Sequence, residues 1–294
     1  MKAAAFDYHL PASVDAAVGM LAELGDEAKV LAGGQSLVPV MAMRLGRPEH
    51  IVDVNRVAGL AGVTRSDGTL RVGALTRHRT LERDEVIAGA APLLTRAAPY
   101  IGHFQIRNRG TLGGSLAHAD PAAELPAVAV ALDAGIEVRS ARGTRRIAAG
   151  EFFVSAFTTA LEPDELVTAL HVPVWGPGSG FAVAELARRQ GDFALAGAAC
   201  GVQLRGGRIT RAAVGLFGMG GVPVRARAAE QALTGASAAE VDLDGLARDA
   251  VAPLRPASDA HCSGAYRRRA GAHMIARALG RALAEAQGAE EAGA

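Results

Sequence analysis

Two glycine-rich segments have the residue types and spacing of phosphate-binding turns: LAGGQSL at 31–37 and GTLGGSL at 110–116. Each joins an apolar, strand-like run to a helix-like run. Consecutive glycines let backbone N–H groups converge on an anion, and the start of a following helix adds partial positive charge. Hydroxyl groups of Ser36, Thr111 and Ser115 are further donors. One such turn is a weak signal, but two matched turns predict a dinucleotide.

Few other side chains suggest chemistry of their own. His118 and Asp120 belong to types that serve in acid–base or metal sites, but no further ligand lies at close spacing. We expect Asp120 to cap the helix that follows Pro121. Cys200 and Cys262 are far apart, which excludes a disulfide framework and an iron–sulfur cluster held by this chain alone. The sequence therefore predicts neither a metal site nor a catalytic side chain.

The composition indicates a soluble globular protein. At 294 residues, of which 50% are hydrophobic and 21% charged, the chain can bury a sizeable core and form more than one domain. A net charge of +1 and an aromatic content of 4% argue against nucleic-acid binding. The N-terminal residues lack the apolar core of a signal peptide, and no apolar run approaches the ~20 residues that cross a bilayer. We therefore expect a cytoplasmic protein without a transmembrane segment.

Hydrophobic periodicity predicts a mixture of helices and strands. Helices are expected at 14–24, 38–45, 76–81, 86–98, 120–132, 224–233, 243–250 and 263–286. Strands are expected at 28–31, 50–54, 70–74, 165–174, 181–204 and 208–217, with a hairpin at 136–147. The stretch 99–109 is expected to be a loop, and the arginine run at 267–269 a solvated helix face.

Glycine and proline interrupt the pattern at 175–180, which predicts a domain boundary near residue 176. The N-terminal domain then covers 1–176, in two lobes at about 1–56 and 57–176, and the C-terminal domain covers 177–286. The polar, glycine-rich end at 287–294 is expected to be a flexible tail.

Four motifs together resemble those of a known family: LAGGQSL at 31–37, QIRNRGTLGGSLAHADP at 105–121, GDFA at 191–194 and YRR at 266–268. The chain resembles the FAD-binding medium subunits of molybdenum hydroxylases, the family of the carbon monoxide dehydrogenase and xanthine dehydrogenase flavoproteins. The resemblance extends in order over nearly the whole chain. It implies an α+β protein: a two-lobed FAD-binding domain of the vanillyl-alcohol-oxidase type, then a smaller α+β C-terminal domain with a small antiparallel sheet plus helices.

The resemblance also implies which residues contact FAD, held non-covalently because neither turn contains a histidine or cysteine. The pyrophosphate is expected on the backbone of Ala32, Gly33, Gly34, Gln35 and Ser36, and of Thr111, Gly113, Gly114 and Ser115. Other expected contacts are apolar cover from Leu31, Leu37, Val38 and Ile101, Leu166 beside the cofactor, Glu124 as acceptor for a cofactor hydroxyl, and Phe193 against the flavin ring.

Each of these contacts has an ordinary alternative. The apolar residues and Phe193 are also typical of a protein core, and Glu124 could simply favour the first turn of its helix through the dipole. The chain also departs from the family at one position, because many relatives have a lysine where Glu185 stands. The role of a cation at that position is therefore open.

The resemblance implies an electron-transfer subunit. Its FAD would take electrons from [2Fe-2S] clusters on a small iron–sulfur subunit and pass them to an external acceptor, while substrate reacts at molybdopterin on a large subunit. A dimer of heterotrimers is expected, in the cytoplasm and able to lie at the inner face of the membrane. Two alternatives stay open: a self-contained FAD-dependent oxidase or dehydrogenase, and a non-catalytic nucleotide-binding assembly subunit.

Overall fold

A small parallel sheet forms the first part of the chain. The computed structural model describes the backbone of residues 2–293 and the side chains of residues 2–291. Strands β1 (Asp7–His9), β2 (Ala28–Leu31) and β3 (His50–Asp53) are parallel and lie in the order β1-β3-β2. Helix α1 (Val14–Leu24) connects β1 to β2, and helix α2 (Leu37–Ala42) connects β2 to β3. The β2–α2 connection is the first glycine-rich segment.

A five-stranded antiparallel sheet, in the order β4-β5-β10-β6-β7, follows. Its strands are β4 (Val63–Ser66), β5 (Thr69–Gly73), β6 (Gly135–Ser140), β7 (Gly143–Ala148) and β10 (Leu166–Pro173), and a small hairpin is formed by β8 (Phe153–Ser155) and β9 (Thr158–Thr159). The helices are α3 (His78–Arg83), α4 (Glu85–Ala90), α5 (Pro92–Ala97), α6 (Phe104–Arg109), α7 (Leu112–His118), α8 (Glu124–Ala131) and α9 (Ala149–Phe152).

The C-terminal part is a four-stranded antiparallel sheet with three helices. The strands, in their order in the sheet, are β11 (Ser179–Leu186), β12 (Ala196–Arg205), β13 (Arg208–Phe217) and β14 (Val224–Arg225). The helices are α10 (Arg227–Leu233), α11 (Leu243–Val251) and α12 (Gly264–Gly293).

The four-stranded C-terminal sheet lies between α12 and the N-terminal part of the chain. Along β11, Phe181 and Val183 belong to the large apolar cluster that includes α5 and α8, whereas Ala182 and Ala184 belong to the cluster that includes α12. The alternation is the ordinary period of two of a strand, so both faces of the sheet are covered. At the outer edge of β11, Arg96 pairs with Glu285 and donates to the Phe181 carbonyl. This ion pair joins α5, β11 and α12.

Most predicted elements are present. Ser13 caps α1 by accepting from the Ala16 N–H (3.1 Å), and the strand at 28–31 has the predicted bounds. The α+β class and the antiparallel C-terminal sheet with helices are confirmed. The boundary near residue 176 and the division into lobes at 1–56 and 57–176 stay predictions.

Several local predictions were wrong. The helix expected at 86–98 is two helices, because Pro92 begins a new one, and the expected loop at 99–109 contains α6. The second glycine segment follows a helix rather than a strand, and Gly113 and Gly114 lie in α7. Asp120 does not cap a helix: its carboxylate accepts from the Ala122 N–H (2.8 Å), in a turn before α8 begins.

The chain end also differs from the prediction. Helix α12 continues to Gly293, so the predicted flexible tail is helical over residues 287–293. The Glu290 carboxylate accepts hydrogen bonds from the N–H groups of Gly206 and Gly207, in the turn between β12 and β13. This contact between distant residues has no signal in the local sequence.

Arg267 is not part of a solvated helix face. Its side chain is buried, donates to the Leu195 carbonyl (2.7 Å) and the Gly218 carbonyl (3.3 Å), and pairs with Asp259. Arg267 therefore ties α12 to the start of β12 and the end of β13. Arg269, two residues later, is exposed.

We expect Arg267→Met to lower the free energy of unfolding by about 2–3 kcal/mol, because it leaves buried carbonyl groups without a donor. Arg269→Met is the matched control and should change it by less than about 0.5 kcal/mol. Urea unfolding of both variants measures the difference. Equal stabilities would show that the buried guanidinium does not hold these elements together.

Candidate functional site

The first glycine loop presents unpaired backbone donors. Among the described residues, the N–H groups of Gly33, Gly34, Gln35 and Ser36 donate no hydrogen bond. Gly34 has a φ of +72°, a conformation that favours glycine. Successive free N–H groups in such a turn form an anion-binding nest. These free N–H groups are therefore available to bind an anion, as predicted for this loop.

The second glycine segment is different, because its N–H groups are already in use. The bonds are Leu112 to the Thr76 carbonyl (3.0 Å), Gly113 to the Ala74 carbonyl (2.8 Å), Gly114 to Thr111 Oγ1 (3.1 Å) and Ser115 to the Thr111 carbonyl (3.0 Å). The interpretation of this segment as a second row of free donors was therefore wrong for residues 112–115. A contact of FAD with Thr111, Gly113, Gly114 and Ser115 stays a prediction, and the half-buried Ser115 side chain is the best placed to make it.

The two glycine segments lie against each other. A Cβ on Gly33 would overlap the carbonyl oxygen of Arg109 and lie 2.8 Å from the Gly110 Cα. A Cβ on Gly114 would lie 3.9 Å from the Ala32 Cβ. Tertiary structure therefore joins the two segments, which are about 80 residues apart in the sequence, into one surface with the free donors on the first loop.

A polar network beneath the first loop was missed by the sequence analysis. The Asn55 Nδ2 donates to the Ala32 carbonyl (2.7 Å) and to Asp53 Oδ1 (2.7 Å), and Arg77 donates to Asn55 Oδ1 (2.8 Å). Burial opposes ionisation of Asp53, but hydrogen bonds from Tyr8 and Asn55 hold its pKa below the usual value. Asp53 is the last residue of β3, and Asn55 lies two residues after it. This position was the available signal, because β3 is parallel to β2 and neighbouring parallel strands end at one edge of a sheet.

His78 holds the second segment in place. Its Nε2 donates to the Thr111 carbonyl (2.9 Å), while Nδ1 is buried without a hydrogen-bond partner among the described residues. A Cβ on Gly110 would lie 2.7 Å from this Nδ1, so the residue beside the ring has to be glycine. Burial lowers the pKa of His78 to about 4, which keeps the ring neutral.

The predicted apolar cover surrounds the first loop. A Cβ on Gly34 would lie 3.1 Å from a Val38 methyl group and 3.2 Å from a Leu31 methyl group, so these side chains flank the turn. Val38 is 51% exposed, which is unusual for a core residue and leaves its surface available. Leu166 is buried in a cluster against which Ala32 packs, and Leu37 is half-buried.

The remaining predicted residues lie toward the domain interface. Helix α7 begins beside the two glycine segments and is ~10 Å long. The segment after α7 contacts the four-stranded C-terminal sheet, because the Gly218 N–H donates a hydrogen bond to the Pro121 carbonyl (2.8 Å). Glu124 follows this contact and is 8% exposed. Ile101 is partly buried against the large core cluster.

Phe193 is 74% exposed, so the alternative that it packs into the core was wrong. It belongs to a loop that approaches the N-terminal part, because a Cβ on Gly191 would lie 2.6 Å from the His103 ring. An exposed ring beside the interface is free to cover a ligand there.

The described residues contain neither a cluster of metal ligands nor a helix that could span a membrane. The described side chains include no group of three histidine, cysteine, aspartate or glutamate residues arranged to hold a metal. Within residues 2–293, every helix is too short or too polar to cross a bilayer. Cys200 is buried and Cys262 is half-buried, and neither forms a disulfide.

Family models match almost the entire chain. Residues 4–175 match the FAD binding domain in molybdopterin dehydrogenase, and residues 181–282 match the CO dehydrogenase flavoprotein C-terminal domain. The chain is 44% identical to the 6-hydroxypseudooxynicotine dehydrogenase complex subunit alpha of Paenarthrobacter nicotinovorans, over 99% of each chain. It is 37% identical to the carbon monoxide dehydrogenase medium chain of Afipia carboxidovorans, over 96% of this chain and 98% of that one.

A solved structure is similar to this chain over nearly its whole length. A chain of carbon monoxide dehydrogenase from Hydrogenophaga pseudoflava, in a form that lacks the Mo-pyranopterin moiety, matches with a TM-score of 0.94 and 37% identity over 97% of this chain and 99% of that one. The fold and site thus define an FAD-binding oxidoreductase subunit. The chain belongs to the family of FAD-binding medium subunits of molybdenum hydroxylases, the carbon monoxide and xanthine dehydrogenase flavoproteins.

We expect Gly33→Ala to weaken FAD binding, because the added methyl group would push the two glycine segments apart. Overpacking of this kind costs about 1–3 kcal/mol, which corresponds to a roughly 5- to 150-fold weaker affinity. Gly19→Ala is the control, since nothing lies within 4 Å of a Cβ in the middle of α1. Fluorescence titration of the flavin-free chains with FAD measures both affinities. Unchanged affinity in Gly33→Ala would contradict the role of this contact.

We expect His78 to make the fold sensitive to acid. Its pKa is about 4 in the folded chain and ordinarily 6.5, so the unfolded chain binds more protons between these values. Stability that is present above pH 6.5 is therefore lost as the pH falls toward 4. His78→Gln keeps an N–H donor near the position of Nε2 and does not titrate. As the pH falls from 6.5 to 4, its free energy of unfolding should decrease by up to about 3 kcal/mol less than that of the native chain.

Urea unfolding at pH 7, 6, 5 and 4 tests this expectation. His273→Gln is the matched control, because His273 is exposed on α12. If the native chain and His78→Gln lost the same stability on acidification, His78 would not be the acid-sensitive group.

Proposed function

We propose that the chain relays electrons through FAD between an iron–sulfur subunit and an external acceptor. The observation that carries the proposal is the loop at 32–36, with its four free N–H groups beside the second glycine segment, in a chain whose length is covered by the two flavoprotein family models. When bound, FAD supplies the ability to exchange electrons singly or in pairs. Family membership favours neither a self-contained oxidase nor a non-catalytic assembly subunit.

The residues around the loop bind and orient the cofactor in this proposal. Free N–H groups of Gly33 to Ser36 take the negative charge of a pyrophosphate, and Leu31 and Val38 flank the turn. Arg77 donates a hydrogen bond to Asn55, which itself donates to the Ala32 carbonyl of the loop, so Arg77 adds positive charge near the loop. The anion is thus bound by fixed dipoles rather than by mobile side chains.

The residues along α7 would hold the other end of FAD. The helix runs from the glycine loops to the contact between Pro121 and Gly218, so an extended dinucleotide bound at the loops would have α7 and the domain interface beside it. Ser115 and Glu124 are the polar side chains along this path, and Ile101 and Phe193 would enclose its end. Phe193 would cover the flavin ring, which would bury its exposed surface.

The partners are proposed from the relatives. Curated relatives are medium subunits of multi-subunit complexes, and a matching carbon monoxide dehydrogenase structure is of a form that lacks the Mo-pyranopterin moiety of its molybdenum cofactor. We infer a small subunit with [2Fe-2S] clusters, a large subunit with molybdopterin, and a dimer of heterotrimers. The substrate then reacts on the large subunit. The cytoplasmic location stays a prediction from the sequence.

Reconstitution tests the proposal. The chain alone should bind FAD that acid precipitation releases completely and that dithionite reduces, but an organic substrate or carbon monoxide should not reduce it. Addition of the iron–sulfur and molybdenum subunits encoded with it should make flavin reduction depend on substrate. Reduction of the isolated chain's flavin by a substrate would show a self-contained dehydrogenase instead. A chain that binds no flavin would overturn the proposal.

A further inference from the structure

The register of the C-terminal sheet directs Glu185 toward the FAD-binding domain. Along β11, Glu185 shares a face with Phe181 and Val183, which pack into the cluster that contains α8. Across the sheet it pairs with Gly197, which in turn pairs with Phe217. A Cβ on Gly197 would overlap the Phe217 ring, so this ring occupies the space above the glycine. Glu185 therefore lies at the domain interface, level with the end of β13.

Glu124 approaches the same place from the other domain. The Gly218 N–H, directly after β13, donates to the Pro121 carbonyl, and α8 begins at Glu124 three residues later. Leu125 and Val128 of α8 lie in the same apolar cluster as Phe217. The two glutamates therefore lie on the two sides of one interface, on α8 and on β11, near enough for the charge of Glu124 to act on Glu185.

Neither carboxyl group has a cation or a side-chain donor as partner among the described residues. Glu124 is 8% exposed, and its carboxyl group accepts a hydrogen bond from its own backbone N–H. Glu185 is half-buried, and its Oε2 atom is buried without a hydrogen bond. Without a nearby cation, ionisation of both carboxyl groups is unfavourable, because each is poorly solvated and the two repel each other.

The surrounding charged groups do not neutralise the pair. Asp120, before α8, adds negative charge, and Tyr100 directs its hydroxyl to the Val183 carbonyl (3.5 Å). Arg267 is occupied by carbonyl groups and Asp259. His103 beside Gly191 donates to neither carboxyl group. Arg189 lines the same cavity as Glu185, together with Arg96, Arg281 and Glu285, and none of them donates to either carboxyl group.

Burial and repulsion both favour the protonated forms. Burial raises the pKa of Glu124 to about 7, with a further contribution from Asp120. Burial, and then repulsion by Glu124, raises the pKa of Glu185 to about 8. Glu185 also lines a cavity of about 740 Å³ between α5, β11 and α12, so the pair has a route by which protons reach solvent.

We propose that Glu124 and Glu185 are a pair of positioning residues that share a proton at neutral pH and so link the charge at the flavin site to proton exchange with solvent. The shared proton removes one negative charge from the interface. The link to the flavin rests on the proposed function, whereas the shared proton does not.

The sign of the pH dependence follows from the raised pKa values. The folded chain holds protons that the unfolded chain has released, so the contribution of the pair to stability is present below about pH 4.5 and is lost as the pH rises through 7 to 8. Added negative charge at the flavin site favours uptake of a proton by the pair. The reduction potential of bound FAD should therefore fall more steeply with pH around 7 to 8 than it does without the pair.

Infrared spectroscopy of the flavin-free chain tests the shared proton. At pH 7 the native chain should show the C=O stretch of a buried protonated carboxyl group, which disappears between pH 7 and 9. Glu185→Gln should leave a single step, that of Glu124 near pH 7, whereas Glu124→Gln should lower the midpoint of the Glu185 step because it removes the repulsion by Glu124. Glu124→Gln is the second variant, and exposed Glu23→Gln on α1 is the control that should resemble the native chain.

No protonated carboxyl signal at pH 7, or a signal that both pair variants leave unchanged, would overturn the shared proton. The link to the flavin is measured separately, as the reduction potential of bound FAD from pH 6 to 9. Glu185→Gln should remove the additional slope around pH 7 to 8, while Glu23→Gln keeps it. Equal slopes in the native chain and Glu185→Gln would overturn the link, whatever the infrared result. Failure to bind FAD would instead reject the proposed function.

Discussion

The close approach of two backbone segments at Gly33 and Gly110 is the constraint on which the site depends. A side chain at Gly33 would overlap the Arg109 carbonyl, and a side chain at Gly110 would meet the His78 ring. Because both positions are glycine, the loop after β2 can lie directly on the start of α7. The N–H groups of residues 112–115 bond to other parts of the chain, whereas those of residues 33–36 are free.

Unequal use of the two segments gives each a different task. The N–H groups of Leu112 and Gly113 bond to carbonyl groups at the end of β5, so α7 is anchored to the antiparallel sheet. The first loop is held from below, where Asn55 supports the Ala32 carbonyl. A rigid second segment and a supported first loop make a preorganised anion site, which avoids the entropy cost of ordering side chains on binding.

The domain interface couples this site to the C-terminal sheet. Arg96 joins α5, β11 and α12, and Pro121 accepts from Gly218, so the face of the sheet that carries Glu185 is held against α8. An ionisable group in such an interface favours its neutral form when no opposite charge is near, because water does not reach it freely to solvate the charge. Helix α8 is buried along its whole length, which makes Glu124 an exception among apolar neighbours and a group whose protonation matters.

The sequence by itself determined the family and much of the local structure. Alternation and helical spacing predicted α1, β2, the β6–β7 hairpin and β13, because these patterns depend on which face of each element is buried. The single strand predicted at 181–204 was wrong, because this run contains two strands, β11 and β12, with a loop at 187–195 between them. Consecutive glycines marked both segments of the site. Only the tertiary structure decided which N–H groups are free, that Phe193 is exposed, that Arg267 is buried, and that Glu124 lies near Glu185. The physical reason is that hydrogen bonds and repulsion act between residues far apart in the chain, whereas a local pattern records only what each segment favours alone.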